Sequence, residues 1–567
     1  MATENHGHGP SPQGRLWALM RSESNDLWVV VVYAVAVGIL SLATPVAVQS
    51  LVNSVAFGAL LQPLLVVSLL LLLGLALSGG LRALQTFVVE VLQQRLFVRA
   101  ALDLAHRLPR VRRSVFDDAY GPELVNRFFD VVTVQKSTAG LLLDGSALAL
   151  QALIGLLVLG FYHPLLLAFD IVLLGAILVI LLLLGRGAVS SSIRESRAKY
   201  AVAGWLEEVV RHPLAFRSEE GVAFAASKAD ELTRHYLQQR RAHFRVLLRQ
   251  ILASLALYAL ASAALLGLGG ALVIARQLTM GQLVAAELLV GAVLSSFAKF
   301  GKHLESYYDL LAAVDKLGHL AELPVESLEG ERLPRDESPA QITLRGVRVP
   351  CGADDSSEED PRHQGLHLTL RPGARVTILG AAGSGKSALA EALYGLHAPR
   401  AGVIELDGVV LREVQLASLR SQVALLRGPE IFEGTLAENI ALGRLAADAA
   451  ALRLAIGAVG LRDLVSGLPA GLHTRLSSGG ALSYSESLRL MVARAIVCRP
   501  RFLIVDDALS GLDEPTREQL AQVLFDPAAP WTLLVLSREA APALLARSEQ
   551  VLTLRAGALT ATPLEVR

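Results

Sequence analysis

Apolar residues gather in runs along this chain, and the runs change character once. In the N-terminal half they fall at 27–51, 60–77, 145–161, 165–184, 251–274 and 280–297. Each is long enough to cross about 30 Å of hydrocarbon as a helix. Several carry no charge at all, which sets them apart from soluble core helices. Six membrane spans are therefore expected. Pro45 predicts a kink in the first, and the second is expected to run on past Arg82 as a helix into water. The third and fourth form a tight pair around His163-Pro164, and the fifth and sixth a second tight pair.

From residue 341 onward the pattern changes to short β runs alternating with helices, the mark of an α/β domain. The chain divides accordingly. Residues 1–26 are polar and include His6 and His8; no small-residue cleavage site precedes an apolar core, so they do not read as a signal peptide. Residues 15–26 read as an interfacial helix. Residues 27–317 form the transmembrane domain with two long loops. Residues 318–340, with Pro324, Pro334 and Pro339, read as a linker, and 341–567 as the α/β domain. An acidic stretch, 352–365, reads as a solvated loop in the first β layer.

Composition adds bounds. The chain is 53% hydrophobic, too apolar for a soluble enzyme, and its 52 basic and 52 acidic residues cancel, so no nucleic-acid partner is implied. Two cysteines, Cys351 and Cys498, support neither a disulfide framework nor a zinc site. Lysine and arginine orient the spans. The loops after spans one, three and five are short and carry only Arg276, whereas those after spans two and four are long and arginine-rich. Both long connections and both termini are expected on the cytoplasmic side. Glu287 and Asp170 are acids within spans, and both are expected near the outer surface; a cavity or a second protomer is the other setting for Glu287.

The chemistry centres on Gly380-Ala381-Ala382-Gly383-Ser384-Gly385-Lys386-Ser387, which reads G-x-x-x-x-G-K-S. A β-rich run, 375–379, precedes it and a strong helix former, 388–396, follows. A glycine turn opening a helix this way presents backbone N–H groups to a polyphosphate. Lys386 would reach the β- and γ-phosphates, and the Ser387 hydroxyl would ligate Mg²⁺.

Six spans, long cytoplasmic loops and a C-terminal P-loop domain together resemble an ATP-binding cassette (ABC) exporter half-transporter over nearly the whole chain. The fold implied is an all-α six-helix transmembrane domain plus an α/β P-loop nucleotide-binding domain. Asp117-Asp118 with Gly121 and Glu123, and later Trp205-Leu206-Glu207-Glu208, resemble that family's cytoplasmic coupling loops. Residues 502–507 resemble its Walker B strand, with Asp506 on Mg²⁺. Ser510-Gly511-Leu512-Asp513 resembles the D-loop, and Leu482-Ser483-Tyr484-Ser485-Glu486 stands where the family has L-S-G-G-Q. The resemblance implies ATP contacts from Gly380, Gly383, Ser384, Gly385, Lys386, Ser387, Ser483, Ser485, Glu486 and Asp513, the last four toward a second protomer's nucleotide. A homodimer, or a heterodimer with a second half-transporter, is implied. So are a lipid bilayer (the bacterial inner membrane) and, from the flavour nearest to peptide and type I secretion exporters, a periplasmic adaptor.

The departures from the family pattern carry most of the information. The general base after Walker B is Asp507 rather than Glu, one methylene shorter. Arg427 stands at the Q-loop glutamine, Arg538 at the switch histidine, and Tyr484-Ser485 at the two signature glycines; the adenine-stacking aromatic aligns near Pro350-Cys351. Two readings stay open for the arginines. Arg427 and Arg538 both reach the γ-phosphate and act catalytically with Asp507, or each faces solvent or pairs with a nearby carboxylate such as Glu430 or Glu539. The function implied is ATP-driven export, of peptide or protein, with slow hydrolysis. The other reading is an ATP-binding, poorly hydrolysing subunit that gates or scaffolds an export complex.

Overall fold

The computed structural model describes residues 11–56, 61–118, 125–298, 300–334, 336–349, 365–444, 448–476, 482–555 and 558–561. The chain forms two compact units, Met1–Pro324 and Val325–Arg567. Cys351 and the coupling-loop residues Gly121 and Glu123 lie outside the described residues.

The first unit is helical: α1 (Pro12–Ser22), α2 (Ser24–Leu40), α3 (Ala43–Ala56), α4 (Leu61–Arg107), α5 (Asp130–Gly140), α6 (Ser146–Tyr162), α7 (Pro164–Val179), α8 (Ala188–Arg211), α9 (Glu219–Ile274), α10 (Met280–Ala298) and α11 (Phe300–Ala321). Among the described residues five helical segments are long and apolar enough to cross a membrane, and a shorter apolar helix follows over Met280–Ala292. Two helices far exceed a bilayer. At 1.5 Å per residue, the 47 residues of α4 and the 56 of α9 reach roughly 70 and 85 Å. The first span breaks at Ser41-Leu42, upstream of Pro45. A proline ring clashes with the carbonyl four residues before it, here that of Ser41, so the helix yields there and restarts with Pro45 in its first turn.

The bundle core is apolar. Leu159 and Leu166 of the α6–α7 pair pack with Leu265 of α9 and with Ala286 and Val290 of α10. Leucines of α4 such as Leu69, Leu70, Leu72 and Leu73 point outward instead, as suits a helix solvated by lipid. Asp170 is 5% exposed and buried inside the bundle, while Glu287 is exposed. In the second cytoplasmic loop the indole N–H of Trp205 donates to the Ala225 carbonyl (3.1 Å), and its ring meets Phe216 and Phe224 edge-on. These contacts clamp the turn between α8 and α9.

The second unit has a four-stranded antiparallel sheet of order β2-β1-β4-β5, from β1 (Ile342–Arg348), β2 (Leu366–Leu370), β4 (Ala401–Leu406) and β5 (Val409–Val410). A six-stranded sheet follows the order β12-β11-β3-β10-β9-β6, from β3 (Arg375–Leu379), β6 (Val423–Leu426), β9 (Phe502–Asp506), β10 (Thr532–Ser537), β11 (Gln550–Arg555) and β12 (Ala558–Ala561). A small two-stranded antiparallel sheet pairs β7 (Gly434–Thr435) with β8 (Arg475–Leu476). The strand period of two sorts the side chains of β9 between two cores. Phe502 and Ile504 face one apolar cluster, shared with the four-stranded sheet; Leu503 and Val505 face the other, shared with the helix Tyr484–Ile496.

Candidate functional site

Parallel register builds the site. Strands β11, β3, β10, β9 and β6 all run parallel, with Ser537 beside Leu379, Leu536 beside Asp506, and Leu426 beside Val505. The residues just past each strand therefore converge at the carboxyl edge, where ligands of such sheets bind. Gly380 follows β3, Arg427 follows β6, Asp507 follows β9 and Arg538 follows β10. The Gly380 N–H donates to the Ser537 carbonyl (3.1 Å), and the Asp507 N–H to the Leu536 carbonyl (2.8 Å). These bonds extend the ladder into the loops.

The P-loop has the expected form. Gly383 and Gly385 adopt φ of +77° and +93°, a region open to glycine and strained for other residues. The turn opens α12 (Lys386–Leu393). A cleft of about 440 Å³ lies over it, lined by residues 382–388 together with Asp506, Asp507 and Arg538. Lys386 curls back into the turn: its ammonium donates to the carbonyls of Gly380 (2.6 Å) and Ala381 (2.8 Å) and to Ser384 Oγ (3.2 Å). Burial draws the Lys386 pKa below the ordinary lysine range, against the opposing pull of Asp507 and Asp506.

Both Walker B acids are engaged by arginine. Ser387 Oγ donates to Asp506 Oδ1 at 3.1 Å, and Arg427 Nε donates to Asp506 Oδ2 at 2.8 Å. The same guanidinium donates to Glu391 Oε1 (2.7 Å) and to the Ser387 carbonyl (3.0 Å). Burial works against its charge, but the bonds to Glu391 and Asp506 outweigh this and raise its pKa. Arg538 Nε pairs with Asp507 Oδ2, while Asp507 Oδ1 accepts from Ser510 Oγ (2.6 Å) and from the Arg538 N–H (3.3 Å). Asp507 itself sits at φ +54°, a left-handed conformation uncommon for a side-chain-bearing residue. Of the two readings of the arginines, pairing with carboxylates describes this structure, though with Asp506, Glu391 and Asp507 rather than Glu430 or Glu539. Glu391 escaped the sequence reading. The signal for it was its position four residues after Ser387 on one helix face.

The remaining residues carried by the resemblance stand apart from this cleft. Ser483 caps α13 (Tyr484–Ile496) in a reciprocal box: its Oγ accepts from the Glu486 N–H (3.2 Å) and its own N–H donates to Glu486 Oε2 (2.7 Å). Tyr484 and Ser485 form the first two positions of that helix, with Tyr484 51% exposed. Asp513 caps α14 (Glu514–Leu524), accepting from the Thr516 N–H (3.1 Å). None of Ser483, Ser485, Glu486 or Asp513 lines the P-loop cleft of its own chain.

The donors fit a polyphosphate well and Mg²⁺ poorly. Mg²⁺ takes about six oxygens in an octahedron at roughly 2.0–2.1 Å. Ser387 and Asp506 come together as such ligands would. The third side chain there is Arg427, which offers only N–H donors and already holds the second oxygen of Asp506. A dication on Asp506 would sit against a fixed positive charge.

An α/β domain with a P-loop at the carboxyl edge of its sheet, in one chain with a bundle of membrane-length helices, defines an ATP-powered membrane protein. Residues 27–211 match the family model of the ABC transporter transmembrane region, and residues 363–510 that described as ABC transporter. The chain belongs to the ABC transporters, with the membrane and ATPase domains fused as in an exporter half-transporter. It is 28% identical over 480 residues to the mycobactin import ATP-binding/permease protein IrtB of Mycolicibacterium thermoresistibile, covering 81% of this chain and 78% of the relative. An ATP-dependent lipid A-core flippase of Thiobacillus denitrificans is 32% identical over 41% of each chain. The alpha-hemolysin translocation ATP-binding protein HlyB of Escherichia coli is 30% identical over 44% of this chain and 35% of its own. A bacterial Atm1-family ABC exporter with ATP bound superposes with a TM-score of 0.80 at 20% identity, over 96% of this chain and 95% of that one, which establishes the shared fold.

Proposed function

We propose that this chain is an ATP-driven exporter half-transporter that works as a dimer and hydrolyses ATP slowly. The observation that carries the slow step is the state of Asp507. A general base must be basic enough to take a proton from the attacking water. Here the Asp507 charge is paired with Arg538 and its oxygens also accept from Ser510 and the Arg538 N–H, bonds that favour the charged form over the protonated one. The placement of Ser483, Ser485, Glu486 and Asp513 away from their own chain's cleft supports the dimer, since a second protomer must supply them if they are to touch nucleotide. The exposed Glu287 on a membrane span supports the same reading. Arginine-rich long loops favour cytoplasmic termini in an inner membrane. Peptide or protein is the proposed cargo, with a periplasmic adaptor as its natural companion.

The engagement of both Walker B acids by arginine also favours the second reading, a nucleotide-binding subunit that gates or scaffolds an export complex. ATP turnover of the purified chain in lipid nanodiscs, with its oligomeric mass and beside Lys386→Ala, separates the two. Slow turnover by a dimer, abolished in the variant, supports the exporter. Binding without turnover supports the gating subunit.

A further inference from the structure

Arg427 is lodged in an unusual place. Its guanidinium bridges α12 and β9 by touching the Ser387 carbonyl and Glu391 on the helix and Asp506 at the end of the strand. Ser387 and Asp506 are the two residues whose side chains a divalent cation would hold; Ser387 Oγ bonds Asp506 Oδ1 directly, and the guanidinium lies beside that pair on the Ser387 carbonyl and Asp506 Oδ2. Its side chain is 27% exposed, against 4% for Asp506. Three donors of one planar, permanently charged group are satisfied at once, which is how arginine forms durable contacts to carboxylates.

The local charges agree. Arg427 pairs with Asp506 and Glu391, Arg538 pairs with Asp507, and the Lys386 ammonium feels the charges of Asp507 and Asp506 without a bond to either, so three cations oppose three carboxylates. The carboxylates that would otherwise repel a polyphosphate are already neutralised without a metal ion. Three N–H donors of the guanidinium are used in these bonds, and the group sits behind Ser387 and Asp506, which line the cleft, rather than in the lining itself.

We propose that the Arg427 guanidinium takes the place of the divalent cation, so that this P-loop holds nucleoside triphosphate without a protein-bound Mg²⁺. The proposal rests on reading the cleft as a nucleotide site, and its test separates the two. ATP affinity of the full chain in nanodiscs is measured by titration calorimetry in excess Mg²⁺ and in excess EDTA, for the wild type, Arg427→Gln, Arg427→Lys and Lys386→Ala. The wild-type affinities are expected to agree within about threefold. Arg427→Gln, which restores an oxygen ligand and removes the charge, is expected to bind at least about tenfold more tightly with Mg²⁺ than without. Arg427→Lys, which keeps the charge, is expected to follow the wild type. With Mn²⁺ in place of Mg²⁺, spin resonance on the filtered complexes is expected to show bound Mn²⁺ with the Arg427→Gln chain and little with the wild type. A wild-type affinity that falls tenfold in EDTA overturns the proposal and leaves the nucleotide site standing. So does an Arg427→Gln chain as indifferent to metal as the wild type. A wild type that binds ATP in neither condition, or no differently from Lys386→Ala, overturns the nucleotide reading and the proposal together.

Discussion

Arg538 closes on Asp507 from the neighbouring strand: its Nε pairs with Asp507 Oδ2 while its backbone N–H donates to Oδ1 at 3.3 Å. One residue thus engages both oxygens of the proposed general base. The parallel pairing of β9 with β10 sets this up, because Asp506 lies beside Leu536, which brings Asp507 next to Ser537 and one residue from Arg538. An arginine there, in place of a group that loses its charge readily, keeps the carboxylate in a permanent ion pair.

Removing that pair should raise turnover. Arg538→His replaces a permanent charge with a ring that can be neutral near pH 7.5, and Asp507 loses its permanent ion pair. ATPase activity in nanodiscs is expected to rise by about tenfold, within the ordinary range for acid–base assistance. Adding Asp507→Glu should raise it further by restoring the missing methylene. Asp507→Asn should abolish whatever turnover the wild type has. An Arg538→His chain with unchanged turnover would show that the ion pair is not what slows the step.

The cap of α13 is a stability device, with a nucleotide role only through a second protomer. Ser483→Ala removes the acceptor for the Glu486 N–H and breaks the box. It is expected to cost about 1 kcal/mol, read as earlier thermal unfolding of the full chain in detergent. Glu486 is held below the ordinary carboxylate range by its bonds to the Ser483 side chain and backbone N–H. A depressed acid contributes stability that is full above its unfolded pKa and lost as pH falls through its folded one. The penalty of Ser483→Ala should therefore shrink as pH drops below about 4.

Arg15 anchors the first helix. Its fork donates to Asp315 Oδ1 (2.6 Å) and to both oxygens of Glu322 (3.1 and 2.6 Å), and the arginine is 9% exposed. Arg15→Ala leaves Asp315, among the described residues, with the exposed His319 as its remaining ion-pair partner. Loss of one partner from a mostly buried pair costs about 3 kcal/mol. Protease accessibility of residues 11–22 and thermal unfolding are both expected to report it, while Arg21→Ala, further along the same helix, should do neither.

Lys316 gives the helical unit an alkaline signature. Burial brings its pKa down to about 8, against the pull of Asp130, whose Oδ2 lies 3.2 Å away. The folded chain then binds this proton less tightly than the unfolded one. Its contribution makes stability rise with pH between about 8 and 10. Lys316→Met should flatten that rise in detergent melts across the same window.

Much of this was legible in the sequence because it is periodic or local. Five of the six apolar runs became helices of membrane length among the described residues, the sixth a shorter apolar helix, and the glycine spacing of 380–387 gave the phosphate turn. The substituted positions 427, 507 and 538 were visible one at a time. Their partners were not. Arg427 reaches Asp506 across 79 positions and Arg538 reaches Asp507 across 31, contacts that exist only once the strand order is known. The sequence suggested Glu430 and Glu539 because they were near along the chain. The parallel sheet brought other carboxylates nearer in space. Pro45 taught a smaller lesson of the same kind: its effect fell on the carbonyl four residues back, so the break appeared at Ser41.

Glu287 offers a test of how the protomer meets its surroundings. Met280, Val284, Glu287 and Leu288 recur at helical spacing along one face of α10, and all four are exposed. The opposite face, with Ala285, Ala286, Leu289 and Val290, is buried in the bundle. A carboxylate turned toward lipid mid-span costs about 3 kcal/mol by insertion scales, and a second protomer or a water-filled path removes that cost. Glu287→Cys is therefore expected to react with a membrane-impermeant maleimide in nanodiscs, and Val284→Cys one turn away to react alongside it. Brominated lipids should not quench a fluorophore attached at either site. Unreactive thiols with strong quenching would put this face against the bilayer, and the dimer contact would have to lie elsewhere.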